Sequence, residues 1–138
     1  YIDVSQKNKL SQNKQAGARK KPERVEGTLS SELPKIFVKK SDIHITSKRN
    51  FDCFQDTELD MLLKRTLNIK NIIICGVNTD TCVYGTTFGA SNRGYNPIVI
   101  ECCTGSMRGE DQHKTALKIM SQSIAWVMRK EEILNKLN

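Results

Sequence analysis

Of the five cysteines and two histidines in this 138-residue chain, one cysteine stands where a thiol can be activated. Gly76-Val-Asn-Thr-Asp-Thr-Cys82-Val follows the apolar run Asn71-Ile-Ile-Ile-Cys75. A strand delivers the chain to a turn, and the turn enters a helix with Cys82 near its start. The first backbone N–H groups of a helix have no intrahelical acceptor, so they stabilise negative charge. A thiolate and a developing oxyanion would both gain there. Taken alone, a cysteine in this position is more often a small buried hydrophobe. The remaining thiols, Cys53, Cys75, Cys102 and Cys103, make no Cys-x-x-Cys pair, and His44 and His113 complete no zinc pattern with them. An odd number of thiols without a framework points to a reducing compartment, the cytoplasm, and to free thiols. Cys102 and Cys103 are expected to pack structurally. His113, on a polar helix face, is expected to be solvated.

Several elements must position these groups. Thr28–Leu33 reads as a helical turn halted by Pro34, and Ile36–Val38 and Asp42–Thr46 as short extended pieces, with Ile43 and Ile45 alternating about His44. Thr57 caps a helix with Leu59, Leu62, Leu63 and Leu67 on its buried stripe and Asn68 as its stop. The continuous apolar strand at residues 71–75 is expected to be covered on both faces, as in a parallel sheet interior. A helix over about 80–93 turns Val83, Thr86, Thr87 and Ala90 inward and ends at Gly94. A strand at Pro97–Ile100, a helix at Asp111–Met120, a strand at Ile124–Met128 with Trp126 in the core, and a helix at Glu131–Leu137 complete the pattern. Alternating strands and helices predict an α/β fold, a mainly parallel sheet with helices on both faces, Rossmann-like in type. Ligands of such sheets bind beyond the carboxyl ends of the strands.

The formal charge is +7, from 22 Lys and Arg against 15 Asp and Glu, and the whole excess falls within the first 50 residues. Residues 1–27 have no apolar periodicity and read as a basic polar loop or arm; residues 28–138 read as the α/β domain. A basic isoelectric point is therefore a property of one segment, and nucleic-acid binding is disfavoured as the role of the chain. No apolar run is long enough for a membrane helix.

Two stretches carry a family resemblance. Gly76-Val77-x-Thr79-x-x-Cys82-Val83, with Thr87, Ala90 and Arg93-Gly94-Tyr95 after it, resembles the nucleophile segment of the isochorismatase-like cysteine hydrolases, a family that includes nicotinamidases and N-carbamoylsarcosine amidases. Ile45-Thr46-Ser47-Lys48, then Phe54, Thr57 and Leu59-Asp60, resembles that family's segment with an essential lysine. The resemblance implies the three-layer α/β/α fold of this family. It implies that Cys82 is a nucleophile forming a thioester with a small amide-type substrate, and that Lys48 is the cation beside it. It assigns the oxyanion hole to the backbone N–H groups of Asn78 and Cys82, with a cis peptide at Val77–Asn78, and places Phe54 and Thr79 at the substrate pocket. Lys48 without the motif would be read as a solvated charge. The family's third catalytic group is an Asp in a hydrophobic-Asp-x-Gln context well upstream of the lysine. Asp3 in Ile2-Asp3-Val4-Ser5-Gln6 does not fit it, because the polar basic stretch that follows is not a helix and a second strand. The domain is thus expected to be partial, N-terminally truncated relative to the family pattern. The zinc ligands typical of nicotinamidases would fall upstream too, so no metal or other cofactor is assigned. Family members usually associate, implying a homo-oligomer. A catalytically incomplete member acting as a dimerisation or interaction module is the competing reading.

Overall fold

The computed structural model describes Ile36 and residues 38–137. The expected arm at residues 1–27 and the turn at Thr28–Leu33 lie outside the described residues.

Three stretches rich in β-branched residues pair as a parallel sheet. They are β1 (Asn71–Val77), β2 (Asn96–Gly105) and β3 (Trp126–Met128), in the order β1-β2-β3. Parallel neighbours need crossovers, and helices supply them. α1 (Leu59–Met61) continues as a π-turn, Leu62–Thr66, and precedes β1. α2 (Tyr84–Asn92), entered through a π-turn at Thr79–Val83, joins β1 to β2. α3 (Glu110–Ser123) joins β2 to β3, and α4 (Lys130–Leu137) follows β3. The architecture is α/β, of the three-layer α/β/α type with a mainly parallel sheet.

Two apolar clusters hold these layers. Ile74, Val83, Val99, Leu117 and Met120 form the larger, between the sheet, the entry to α2 and α3. Phe54, Ala90 and Tyr95 form the smaller, which α1 reaches through Leu59 and the π-turn after it through Leu63. Local signals end the helices as expected. Asn68 takes a positive φ of 50° beyond the π-turn. Gly94 has φ 81°, and the chain closes α2 with Gly94 N–H donating to Ser91 and Tyr95 N–H to Ala90, a Schellman end that requires the left-handed residue.

Four expectations change. The strand at 42–46 contracts to one bridge residue, the buried Ile45, because reciprocal bonds between Lys39 and Asp42 hold a turn where it would begin. Ile36, expected in an extended piece, is exposed in a 3₁₀ turn, with no strand beside it among the described residues. Among the described residues β1 is covered on one face only: Ile72 and Ile74 pack on the cluster while Ile73, on the opposite face, is 46% exposed. Trp126 is 70% exposed rather than core, because β3 turns Ala125 and Val127 to the cluster and the pleat sends the residue between them outward.

Candidate functional site

The site is built where β1 ends. The Val77–Asn78 peptide is cis. The Asn78 carbonyl then accepts bonds from both Thr81 N–H and Val83 N–H, at 3.1 Å each, and the second of these gives the entry to α2 its π spacing. Such π-turns occur disproportionately at functional sites. Cys82 lies inside this turn, half-buried.

The segment that follows Lys48 packs on the helix entered through this turn. The segment Phe51–Phe54 lies flat on α2, and small residues let it approach. Gly85 faces Phe51 and the Asp52 backbone, and Gly89 faces the Asp52 carboxylate. Thr86 fixes the contact: its hydroxyl donates to the Phe51 carbonyl (3.3 Å), accepts from Cys53 N–H (3.2 Å) and meets the Cys53 sulfur at 2.8 Å. Asp52 caps the turn by accepting from Phe54 N–H (2.8 Å) and pairs with Arg93 (3.4 Å) at the end of α2. The guanidinium of Arg93 covers the Phe54 ring, which stacks on Tyr95. The stretch just after Lys48 is thus bound to α2, the helix entered through the π-turn that holds Cys82.

Lys48 is only 3% exposed, so it is not a solvated charge. Among the described residues no hydrogen bond or ion pair engages its Nζ. The nearby buried Cys53 thiol senses the surrounding charges. Burial pushes it up; the bond to Thr86 and the Lys48 cation pull it down; negative charge on Asp52 and Cys82 adds to the rise. Cys53 therefore lies within electrostatic reach of both Lys48 and Cys82. No motif singled it out, and only the packing on Thr86 reveals it.

Of the two residues expected at the pocket, Phe54 is in the smaller apolar cluster, and Thr79 is fully buried with its hydroxyl 2.8 Å from His113 Nδ1. His113 was expected to be solvated; it is instead half-buried, because the first turn of α3 packs on the start of α2 and presents it to Thr79. Cys102 and Cys103 were expected to pack and are exposed. The β1–β2 register breaks between Ile74 and Gly76, whose partners are Val99 and Thr104; Ile100 stays buried and paired with Met128 of β3, while residues 101–103 are exposed.

The segment after β2 supplies further partners that sequence reasoning missed. Met107 N–H donates to Asn78 Oδ1 (3.1 Å), Ser106 Oγ donates to Asp80 Oδ1 (2.7 Å), and Arg108 pairs with Asp80 Oδ2. A separate cleft of about 400 Å³ lies between β2, His113 and the Arg129–Lys130 corner, and neither Cys82 nor Lys48 lines it. No three His, Cys, Asp or Glu side chains among the described residues come together as a metal-ligand set.

A family model of the isochorismatase domain matches residues 4–132. The chain belongs to the isochorismatase family. It is 35% identical over 97 residues to the uncharacterised isochorismatase family protein YecD of Escherichia coli O157:H7, a match covering 70% of this chain and 50% of that one. Among solved structures it is similar to an isochorismatase-like hydrolase from Alkaliphilus metalliredigens, with TM-score 0.84 at 25% identity over 99% of this chain and 71% of the other. It is also similar to a nicotinamidase from Staphylococcus aureus, with TM-score 0.59 at 34% identity over 64% of this chain and 56% of the other. The chain spans about half the length of the curated relatives it matches. As an isochorismatase family member its fold is the α/β/α type expected from the alternation of elements. No described helix is long and apolar enough to cross a membrane.

Proposed function

We propose that this chain carries the nucleophile side of a cysteine hydrolase acting on small amide-type (C–N) substrates. The observation that carries the reading is the burial of Lys48, 3% exposed with no partner for its ammonium among the described residues. An unpaired buried cation costs several kcal/mol. Such a charge is retained where an anion compensates it, and the Cys82 thiolate is the anion the chemistry needs. The likeness to nicotinamidases supports an amide carbonyl as the target.

In this reading Lys48 favours the thiolate of Cys82. The thiolate adds to the carbonyl carbon, and the backbone N–H groups of Asn78 and Cys82 receive the oxyanion. The C–N bond breaks, the amine leaves after taking up a proton, and a thioester on Cys82 remains. Water then adds to the thioester, the C–S bond breaks and the acid is released. Proton transfer in both steps belongs to an acid–base group, which the family resemblance assigns to an Asp upstream of Lys48. The family resemblance assigns Phe54 and Thr79 to the substrate pocket; both are buried, Phe54 with Ala90 and Tyr95 and Thr79 against His113.

Iodoacetamide labelling, read cysteine by cysteine by mass spectrometry near neutral pH, tests this. Cys82 is expected to react before the more exposed Cys75, Cys102 and Cys103, and Lys48→Ala to slow it by about tenfold. Equal rates at Cys82 and the exposed thiols would remove the activated nucleophile.

A further inference from the structure

Three consecutive side chains on the approach to Cys82 are each held by one short segment. Asn78 Oδ1 is bound by Met107 N–H at 3.1 Å. Thr79 Oγ1 is bound by His113 at 2.8 Å. Asp80 receives Ser106 Oγ at 2.7 Å on one oxygen and Arg108 on the other. Ser106 Oγ in turn accepts Arg108 N–H at 3.1 Å, so the segment is braced on itself as it grips the turn. The Asp80 side chain is 10% exposed, against 39% for Arg108. Burial works against charge on Asp80, but the bonds from Ser106, Arg108 and its own backbone hold its carboxyl below the usual range. A partly exposed ion pair adds little stability by itself. Its value here is geometric. It fixes the loop after β2 against the backbone turn that runs from Asn78 to Cys82.

We infer that Asp80, clamped by Ser106 and Arg108, is a positioning residue for the oxyanion side of the site. The inference rests on the reading of Asn78 and Cys82 as oxyanion donors, and goes beyond it by naming what holds them in place. Donors must sit at hydrogen-bonding distance from where the oxygen will be in the transition state, so a small shift of the turn is costly. The bonds that Ser106, Met107 and Arg108 make to this turn go to Asn78 and Asp80, not to the Cys82 thiol. Loss of the clamp should therefore impair reactions that pass through an oxyanion and spare those that do not.

Two probes separate these cases on the full chain. With p-nitrophenyl acetate, the Cys82 thiolate adds to the ester carbonyl through an oxyanion. The C–O bond breaks, p-nitrophenolate leaves with the electron pair, and acetyl-Cys82 remains. With iodoacetamide, the same thiolate displaces iodide at a saturated carbon and no oxyanion forms. Both products are read on the Cys82 peptide by mass spectrometry. Asp80→Asn and Arg108→Ala are expected to slow acetylation by about 10- to 100-fold while alkylation of Cys82 stays within about twofold. Arg108→Lys, which keeps the cation, is expected to recover part of the loss. Unchanged acetylation in Asp80→Asn overturns the clamp. An equal fall in both reactions also overturns it, because the residue would then support the fold or the thiol rather than the oxyanion turn. Wild-type protein that is alkylated preferentially at Cys82 but not acetylated removes the oxyanion reading and the clamp with it, leaving the activated thiol standing. Wild-type protein with no preference for Cys82 overturns the proposed function itself.

Discussion

Cys82, Cys75 and Cys53 carry the same functional group in three environments. Cys82 sits half-buried in the first turn after β1, Cys53 is buried against Thr86, and Cys75 faces outward beside the β2 bulge. Partial burial, reinforced by the neighbouring Cys103 and Cys102 thiols, pushes Cys75 up to about 11. The thiolate is the reactive form, so a raised value makes an exposed thiol slow. Near neutral pH almost all of Cys75 is protonated; as pH rises toward 11 its thiolate fraction grows. Alkylation of Cys75, followed peptide by peptide, is thus expected to rise about tenfold per pH unit between 8 and 10. A plateau below pH 9 would show that its neighbours do not hold the proton on.

At the scale of elements, the decisive contact is between the segment after Lys48 and helix α2. It is made by absence as much as by bonding: Gly85 and Gly89 leave room, and Thr86 ties the two together. A Cβ at Gly89 would meet both carboxylate oxygens of Asp52 well inside van der Waals contact. Asp52 has little freedom to retreat, because it caps Phe54 and pairs with Arg93. Gly89→Ala is expected to push the segment off the helix. The strain of overpacking costs about 1–3 kcal/mol, read as a lower urea midpoint, with slower iodoacetamide labelling of Cys82 as Lys48 shifts. Gly85→Ala meets only ordinary to slightly tight contacts and is expected to be milder. Nothing local in the sequence marks these glycines, since only the fold brings another segment across them. The helix itself was legible, with Val83, Thr86, Thr87 and Ala90 buried as the 3.6-residue period required. The strand expected at 42–46 shortens to the bridge residue Ile45, because alternation about His44 carries no information on the Lys39–Asp42 turn where the strand would begin.

At the scale of the molecule, stability centres on the cluster that joins β1, β2, the start of α2 and α3. Met120 is fully buried in it, and Met120→Ala is expected to cost about 2–5 kcal/mol, seen as a lower urea midpoint at unchanged slope. Trp126→Ala serves as the contrast: at 70% exposure it is expected to change stability by about 0.5 kcal/mol or less. Composition pointed the other way, since tryptophan usually seeks cover.

What the sequence by itself determined is periodicity, punctuation and motif. The alternation of apolar strands with amphipathic helices required parallel crossovers. Asn68 and Gly94 marked helix ends, and the two motifs singled out Cys82 and Lys48. These are local properties, written within a few residues of one another. Only the tertiary structure decided which charges are buried and which segments meet. It put Lys48 out of water, laid Cys53 on Thr86, turned Trp126 and the vicinal cysteines outward, and brought Ser106–Arg108 onto Asn78 and Asp80. Such contacts join residues about thirty positions apart. No spacing rule reaches that far, because burial depends on what the rest of the chain places overhead.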